Sequence, residues 1–537
     1  VLGCLVASCG GPGSSGRPNL AKQPTLYVVG YAHLDTQWRW DYPTTIRDYI
    51  TKTMRVNFDF IEKYPNYIFN LRGARRYAMM KEYFPADYEK VKSYVAAGRW
   101  FPCGSSWEEN DVNSPSAESI VRQVLYGTQY FRREFGKTSA EYMLPDCFGF
   151  PASLPSILSH CGIKGFSSQK LSSSWQPAAE VGGPESPEKT PVGIPFNIGV
   201  WEGPDGKSIL AALNPGSYGG QITYDLSKTP PPPPKPDPNL TPEQLRQREQ
   251  RFRPLIDWPA RIDLNGKVTG VYADFMYYGT GDTGGAAQES SVKLLDAIVS
   301  RGKVPEPNPY AQRGQRGQGA PGGQAQTPPP APAPEVTVGD GPVKVLSATA
   351  EQVFLDIKPG QTARLPRHKG DLELINHSAG SITSQTYMKR WNRMNEVLAD
   401  GAERSSAVAA WLGGRPSPLE RLNRAWDLVL GSQMHDIIPG TSIPKAYEYS
   451  WNDEILAANQ FGGVLTSAAQ SVASVLDTRA EGASVVVFNP LNISREDIVE
   501  ANVAFAAGTP KAVRVFGPDG AEVPSQLESG GKVIFAA

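Results

Sequence analysis

The chain has 537 residues, enough for three or four domains at roughly 150 residues each and too many for one small binding module. Its 53 Lys and Arg nearly cancel 54 Asp and Glu, leaving a formal net charge of −1, so no global field favours nucleic acid or an anionic membrane. Hydrophobic residues at 40% exclude wholesale disorder, so the excess of 53 glycines and 48 prolines must sit in local tracts.

The chain opens on a short apolar run, Val1 to Ala7, well below the roughly 20 residues that a spanning helix needs. Val6-Ala7-Ser8-Cys9 resembles a lipobox, which predicts the tail of an export signal, a lipidated Cys9 and a tether, with residues 1–23 outside the folded part. An ordinary secretory signal and a chance apolar start are the other readings. On the lipobox reading the protein is exported, periplasmic or at the cell surface, and meets a membrane only through its N-terminal lipid anchor. Cys4, Cys9, Cys103, Cys147 and Cys161 form no CxxC pair and leave the compartment open.

Leu26 to Gly30 is a continuous apolar run after Pro24, which predicts a strand buried on both faces. Ser114 to Phe135 predicts a helix capped by Ser114, with Pro115 at its first position and Ile120, Val124 and Phe131 at helical spacing. Tyr142-Met143-Leu144 and Val271 to Tyr278 read as further strands with polar residues at their ends, so the region 24–376 is α/β. Two Pro-rich tracts interrupt it, near 228–239 and 305–342, both predicted as surface insertions and the second as disordered. Helical patterns at 384–400, 417–433 and 445–476 predict a three-helix bundle over 377–480. From Ser484 the pattern turns all-β, starting with Val485 to Phe488 and expected to continue past Ala537.

Four short motifs carry chemistry. His33-Leu34-Asp35 follows the first strand, and in extended backbone residues i and i+2 point the same way, so an imidazole and a carboxylate can meet one metal. Alone, that spacing is also what a polar loop gives. Pro145-Asp146-Cys147-Phe148-Gly149 places an Asp at another strand end. Gln433-Met434-His435-Asp436 ends a helix before a Pro-Gly turn, and Gly279-Thr280-Gly281-Asp282-Thr283-Gly284 is a Gly-rich loop without the GK[ST] ending of a phosphate cradle.

In this order, and with Gly98-Arg99-Trp100, Glu118-Ser119-Ile120-Val121-Arg122-Gln123, Gln169-Lys170, Lys389-Arg390-Trp391-Asn392-Arg393 and His435-Asp436-Ile437-Ile438-Pro439-Gly440-Thr441, the motifs resemble glycoside hydrolase family 38, the retaining α-mannosidases. The resemblance implies a (β/α) barrel-like catalytic domain, a helical bundle and the start of a β-sandwich. It also implies an exo-α-mannosidase acting on α-mannoside glycans, with His33, Asp35, Asp146 and His435 as metal ligands. The metal is normally zinc, although cobalt, manganese or calcium suit such a shell. Asp146 matches the nucleophile and Asp282 the general acid/base; Trp38, Lys170 and Asp111 match substrate contacts. The pattern is departed from in two places: the Gly-rich loop has one Asp where some members have two, with Asp274 a poor substitute, and the stretch at His377 differs, which makes His377 a loop residue rather than a ligand. A metal-dependent carbohydrate deacetylase and a non-catalytic surface glycan-binding protein are the alternatives. Oligomeric state and linkage preference are not legible.

Overall fold

The computed structural model describes residues 17–172, 180–181, 190–191, 194–236, 238, 240–241, 243–245, 255–310, 333–374 and 381–537. The expected signal with Cys4 and Cys9, most of the second Pro-rich tract and His377 lie outside the described residues. The chain divides into two compact units, one within Val1–Lys389 and Leu430–Trp451, the other Arg390–Val429 and Asn452–Ala537.

In the first unit the strands are, in chain order, β1 (Thr25–Ala32), β2 (Phe69–Arg72), β3 (Trp100–Cys103), β4 (Glu141–Met143), β5 (Gly165–Ser167), β6 (Glu180–Val181), β7 (Thr190–Pro191), β8 (Ile198–Glu202), β9 (Ser208–Ala212), β10 (Ala273–Thr280), β11 (Lys303–Pro305), β12 (Glu335–Thr337), β13 (Lys344–Ser347) and β14 (Arg367–Lys369). β1 is the central strand. Its side chains alternate between two cores, Leu26, Val28 and Ala32 entering one and Tyr27, Val29 and Tyr31 the other, as a strand buried on both faces must. Along its whole length it pairs in parallel with β10, from Thr25 opposite Ala273 to Ala32 opposite Thr280. It also pairs in parallel with β13 at Thr25–Val28 and with β2 at Gly30-Tyr31, and β3 follows β2.

A second sheet runs β14-β8-β9-β5-β4, parallel except between β8 and β9. The α/β expectation describes this unit; of the barrel-like arrangement, no ladder joins β3 to β4, and the strands form separate sheets among the described residues.

The helix expected from Ser114 begins later. Asp111 Oδ2 accepts the Ser114 N–H at 2.8 Å, which holds 111–114 in a turn; Ser116 then caps Ala117–Phe135, its side chain accepting from Ser119 N–H. Pro231 to Pro236 is exposed and belongs to no helix or strand, as expected of a surface tract.

In the second unit the helical segments pack around Trp426. Its indole donates to Glu403 Oε1 at 2.7 Å and its ring meets Phe461 edge-on at 5.7 Å, tying together the helices Thr386–Gly413, Leu419–Ser432 and Pro444–Ser474. The strands β15 (Ile498–Asn502), β16 (Val515–Phe516), β17 (Glu522–Val523), β18 (Ser525–Leu527) and β19 (Lys532–Ala536) form an antiparallel sheet β15-β19-β18 and a β16-β17 hairpin. Val485 to Phe488 is not a strand. No described segment pairs with it, and Val485, Val486 and Val487 are exposed; β-propensity without a partner ladder does not make a strand. No helix among the described residues is long and apolar enough to cross a membrane.

One glycine fixes how closely the helix Ala117–Phe135 approaches the segment that follows β3: a Cβ on Gly127 would stand 2.2 Å from the Ser106 carbonyl carbon. Gly127→Ala should therefore destabilise the fold by about 1–3 kcal/mol. Gly462→Ala, on a helix with open space around it, should instead be neutral or stabilising by up to about 1 kcal/mol. Chemical denaturation of the two variants checks the contrast.

Candidate active site

His33 and Asp35 follow directly from the end of β1. The backbone here stays tied to the loop after β10: His33 N–H donates to Thr280 O at 3.0 Å, Asp35 N–H to Asp282 O at 2.9 Å, and Gly284 N–H to His33 O at 2.9 Å. Past the parallel ladder the two loops stay joined by an antiparallel bridge between Leu34 and Thr283, which fixes His33 and Asp35 relative to Asp282. Asp146 follows β4, where Leu144 N–H donates to Ser167 O at 2.9 Å. His435 lies between two helices; Asp111 N–H donates to Gln433 O at 2.9 Å and His435 N–H to Glu109 O at 3.0 Å.

These segments bring four donor atoms together. His33 Nε2 lies 2.9 Å from Asp35 Oδ1 and 3.6 Å from Asp146 Oδ2; His435 Nε2 lies 3.2 Å and 3.8 Å from the same two oxygens. Tetrahedral bonds of about 2.1 Å would place neighbouring donors about 3.4 Å apart. His33 Nε2, Asp35 Oδ1 and His435 Nε2 are buried and have no hydrogen-bond partner, a cost that native interiors rarely carry without a reason. Two imidazole nitrogens and two carboxylates suit a divalent cation in charge and in ligand type, so the residues fit the group that the sequence implied.

The electrostatics point the same way. Burial disfavours charge on His33, but the carboxylates of Glu109 and Asp35 outweigh it and raise its pKa well above the ordinary value. His435 is raised to about 9 against burial, by Asp35, Glu109 and Asp436. Asp35 is lowered to about 2, the two histidines overcoming its burial. The carboxylates thus draw positive charge into this spot.

Asp282 stands beside the cluster. An oxygen of Asp282, an oxygen of Asp146 and a ring nitrogen of His33 all lie within 4.8 Å of one another. Asp282 sits in the left-handed region at φ 64°, and Tyr218 donates its hydroxyl to Asp282 Oδ1 at 2.9 Å. The adjacent Gly281 lets that tyrosine in, since a Cβ there would stand 2.0 Å from Tyr218 Cε2. Burial raises the Asp282 pKa, with Asp35 and Asp146 adding to the rise and His33 and the Tyr218 hydrogen bond opposing it.

The remaining expected residues divide. Lys170 is buried and pairs with Asp146 Oδ1, leaving Oδ2 toward the histidines. Trp38 is half-buried, with the Arg39 guanidinium 4.2 Å from its ring centroid. Asp111, expected as a sugar contact, is fully buried and used locally: its oxygens accept from Ser114 N–H at 2.8 Å and Asn113 Nδ2 at 3.2 Å. Asp274 is no substitute for Asp282, being buried against Arg261 at 2.7 Å.

Three residues received no role from the sequence reading, Asp436 although it lies within one of the motifs. Tyr218 stacks on His33 at 4.8 Å besides holding Asp282. Asp436 presents an oxygen within 4.8 Å of donor atoms of Asp35 and His435, and burial pushes its carboxyl up. Glu109 touches His33 on the side away from Asp35. The available signals were Glu108-Glu109 before Asn110-Asp111 and a tyrosine in a Pro-Gly-Ser loop. Neither spacing reveals a partner distant in sequence.

Comparison with known proteins identifies the family of this chain. Residues 23–305 match the model of the glycosyl hydrolases family 38 N-terminal domain, and residues 377–471 that of the alpha mannosidase middle domain. Alpha-mannosidase G of Dictyostelium discoideum is 27% identical over 431 residues, covering 80% of this chain and 32% of its own length. Human alpha-mannosidase 2C1 is 26% identical over 467 residues, covering 86% and 36%. The chain therefore spans about a third of the length of these relatives. Among solved structures, an alpha-mannosidase from Enterococcus faecalis V583 shares the fold with a TM-score of 0.63 at 16% identity, covering 96% of this chain and 54% of that one.

The donor geometry predicts one divalent ion per chain, measured as metal content after dialysis against trace zinc, and its loss in His435→Ala and Asp35→Ala. A hundredfold excess of free ion over the dissociation constant should stabilise the native protein by about 2.7 kcal/mol, and a chelator should remove that gain.

Proposed function

The chain belongs to glycosyl hydrolase family 38, and from that premise we propose that it carries the catalytic site of a retaining exo-α-mannosidase that removes terminal α-mannosyl residues from glycans. The observation that carries the reading is the approach of Asp146 and Asp282, with carboxylate oxygens within 4.8 Å. Retaining glycosidases hold their two carboxyl groups about 5–5.5 Å apart, whereas inverting ones leave about 6.5–9.5 Å for a water.

In the first step Asp282 gives its proton to the glycosidic oxygen as the bond to the anomeric carbon breaks, and an Asp146 oxygen bonds to that carbon. In the second, the Asp282 carboxylate takes a proton from water, the water oxygen bonds to the anomeric carbon, and the Asp146 ester bond breaks. Two inversions give net retention. Lys170 orients Asp146 through its ion pair with Oδ1, and Tyr218 aims Asp282. A divalent ion held by His33, Asp35, Asp146 and His435, for which zinc fits the N and O donors best, would supply Lewis acidity toward the sugar hydroxyls.

A 2-deoxy-2-fluoro-mannosyl fluoride or a related slow substrate should leave its covalent label on Asp146 in a peptide digest; a label on any other residue contradicts the assignment. Asp282→Asn should lower kcat/KM by about 10²–10⁴-fold on substrates with poor leaving groups and much less on activated aryl mannosides, whose leaving group needs no proton in the first step.

The pH profile follows from the raised Asp282 pKa. The acid form is the active one in the first step, so kcat/KM should fall as pH rises through that pKa. Tyr218→Phe removes a hydrogen bond that favours the carboxylate, so the Asp282 pKa should rise further and the alkaline limb should move to higher pH. A limb that moves down or stays in place would show that Asp282 is not the titrating acid.

A further inference from the structure

The two histidines of the donor cluster turn their other ring nitrogen to the same residue. His33 Nδ1 lies 3.2 Å from Glu109 Oε2. His435 Nδ1 lies 2.9 Å from the main-chain carbonyl of Glu109, which also accepts the His435 backbone N–H at 3.0 Å. Glu109 is itself immobilised. It is fully buried, Arg72 Nη1 stands 3.0 Å from the same Oε2, and Arg72 donates to Ser106 Oγ at 2.7 Å and to Glu108 O at 3.2 Å. Tyr31 OH lies 3.4 Å from both His33 Nδ1 and Glu109 Oε2.

A neutral imidazole has one N–H and one lone pair, and the partner of one nitrogen decides the role of the other. A carbonyl oxygen can only accept, so the His435 proton belongs on Nδ1. An ionised carboxylate also only accepts, so the His33 proton belongs on Nδ1 as well. A cation between them would take the place of the proton that Asp35 and Asp146 otherwise attract to each Nε2, so each Nε2 would meet it with its lone pair.

We propose that Glu109 is the positioning residue for both histidines, its side chain fixing His33 and its main chain fixing His435 in the Nδ1–H tautomer that presents Nε2 to a divalent cation. The inference rests on the cation-dependent reading of the site. It adds that one residue, through two different groups, aligns two ligands hundreds of residues apart in the chain. It explains why Glu109 sits against Arg72: the arginine offsets the buried charge and stops the carboxylate from turning to the cation itself.

The test is cation affinity, read without any turnover. Chelator-stripped full-length protein is titrated with Zn2+ in competition with a chelating dye, with circular dichroism confirming the fold of each variant. Glu109→Ala should bind Zn2+ about 10–100-fold more weakly than the native protein. Glu109→Gln, whose amide oxygen can still accept from Nδ1, should lose less. Equal affinity in all three overturns the proposal. Should Glu109→Ala not fold, the native protein still decides: with its five histidines labelled with 15N and Zn2+ bound, two should show a proton on Nδ1 and metal at Nε2, and metal at Nδ1 of either His33 or His435 overturns it. In a folded Glu109→Ala, His435 should keep its Nδ1 proton while His33 loses its preference, a split that a general loosening of the structure does not produce. If the native protein binds no divalent ion, the cation reading falls and this proposal with it; if it binds one and the variants match it, only this proposal falls.

Discussion

Two imidazoles and two carboxylates facing one another in the interior set the terms for the rest of the first unit. His33 and His435 have no exposed surface, Asp35 is 1% and Asp146 8% exposed, so water cannot do for these groups what it does at a surface, and a carboxylate in such surroundings needs a counter-charge. A single small dication between the four would answer that need. The backbone that delivers the donors is correspondingly rigid. β1 and β10 pair along their full length, and the pairing extends into the loops through Asp35 N–H on Asp282 O and Gly284 N–H on His33 O. The proposed proton donor and half of the proposed ligand set therefore belong to one hydrogen-bonded piece of backbone.

Around this piece lies a second layer of buried charge. Arg76 donates through Nε to Leu34 O at 2.7 Å and through Nη1 to Glu108 Oε1 at 2.6 Å, and Glu108 Oε2 accepts from Thr36 Oγ1 at 3.1 Å. Leu34 and Thr36 flank Asp35, so the Arg76–Glu108 pair holds the donor loop from both sides. Removing one partner of such a buried pair typically costs about 3–5 kcal/mol, because the other charge is left uncompensated. The arrangement contributes geometry more than net stability, since a well-packed apolar layer would hold the fold as well without fixing where Asp35 points.

Much of this was legible in the sequence, for reasons that can be named. The strand before His33 is an unbroken apolar run because both its faces are covered, and the i, i+2 spacing of His33 and Asp35 survives because the backbone stays extended past the strand. Asp146 and Asp282 stand after strands whose hydrophobic runs are equally plain. What was not legible depends on partners distant in the chain. Glu109 meets His33 and His435 only after folding, and Tyr218 reaches Asp282 only because Gly281 leaves room. Asp111, expected as a sugar contact, accepts the Ser114 N–H, and the helix is capped by Ser116 rather than Ser114. The run at Val485 had strand propensity and no described strand to pair with, and no ladder joins β3 to β4 among the described residues.

The claim on which the account turns is that four residues from three separate segments hold one cation, and it is tested most directly by anomalous diffraction from crystals grown with zinc. The account predicts one strong peak about 2.0–2.2 Å from His33 Nε2, His435 Nε2 and one oxygen each of Asp35 and Asp146. A peak elsewhere, or crystals in which these four side chains close on one another with no ion between them at saturating zinc, would contradict it.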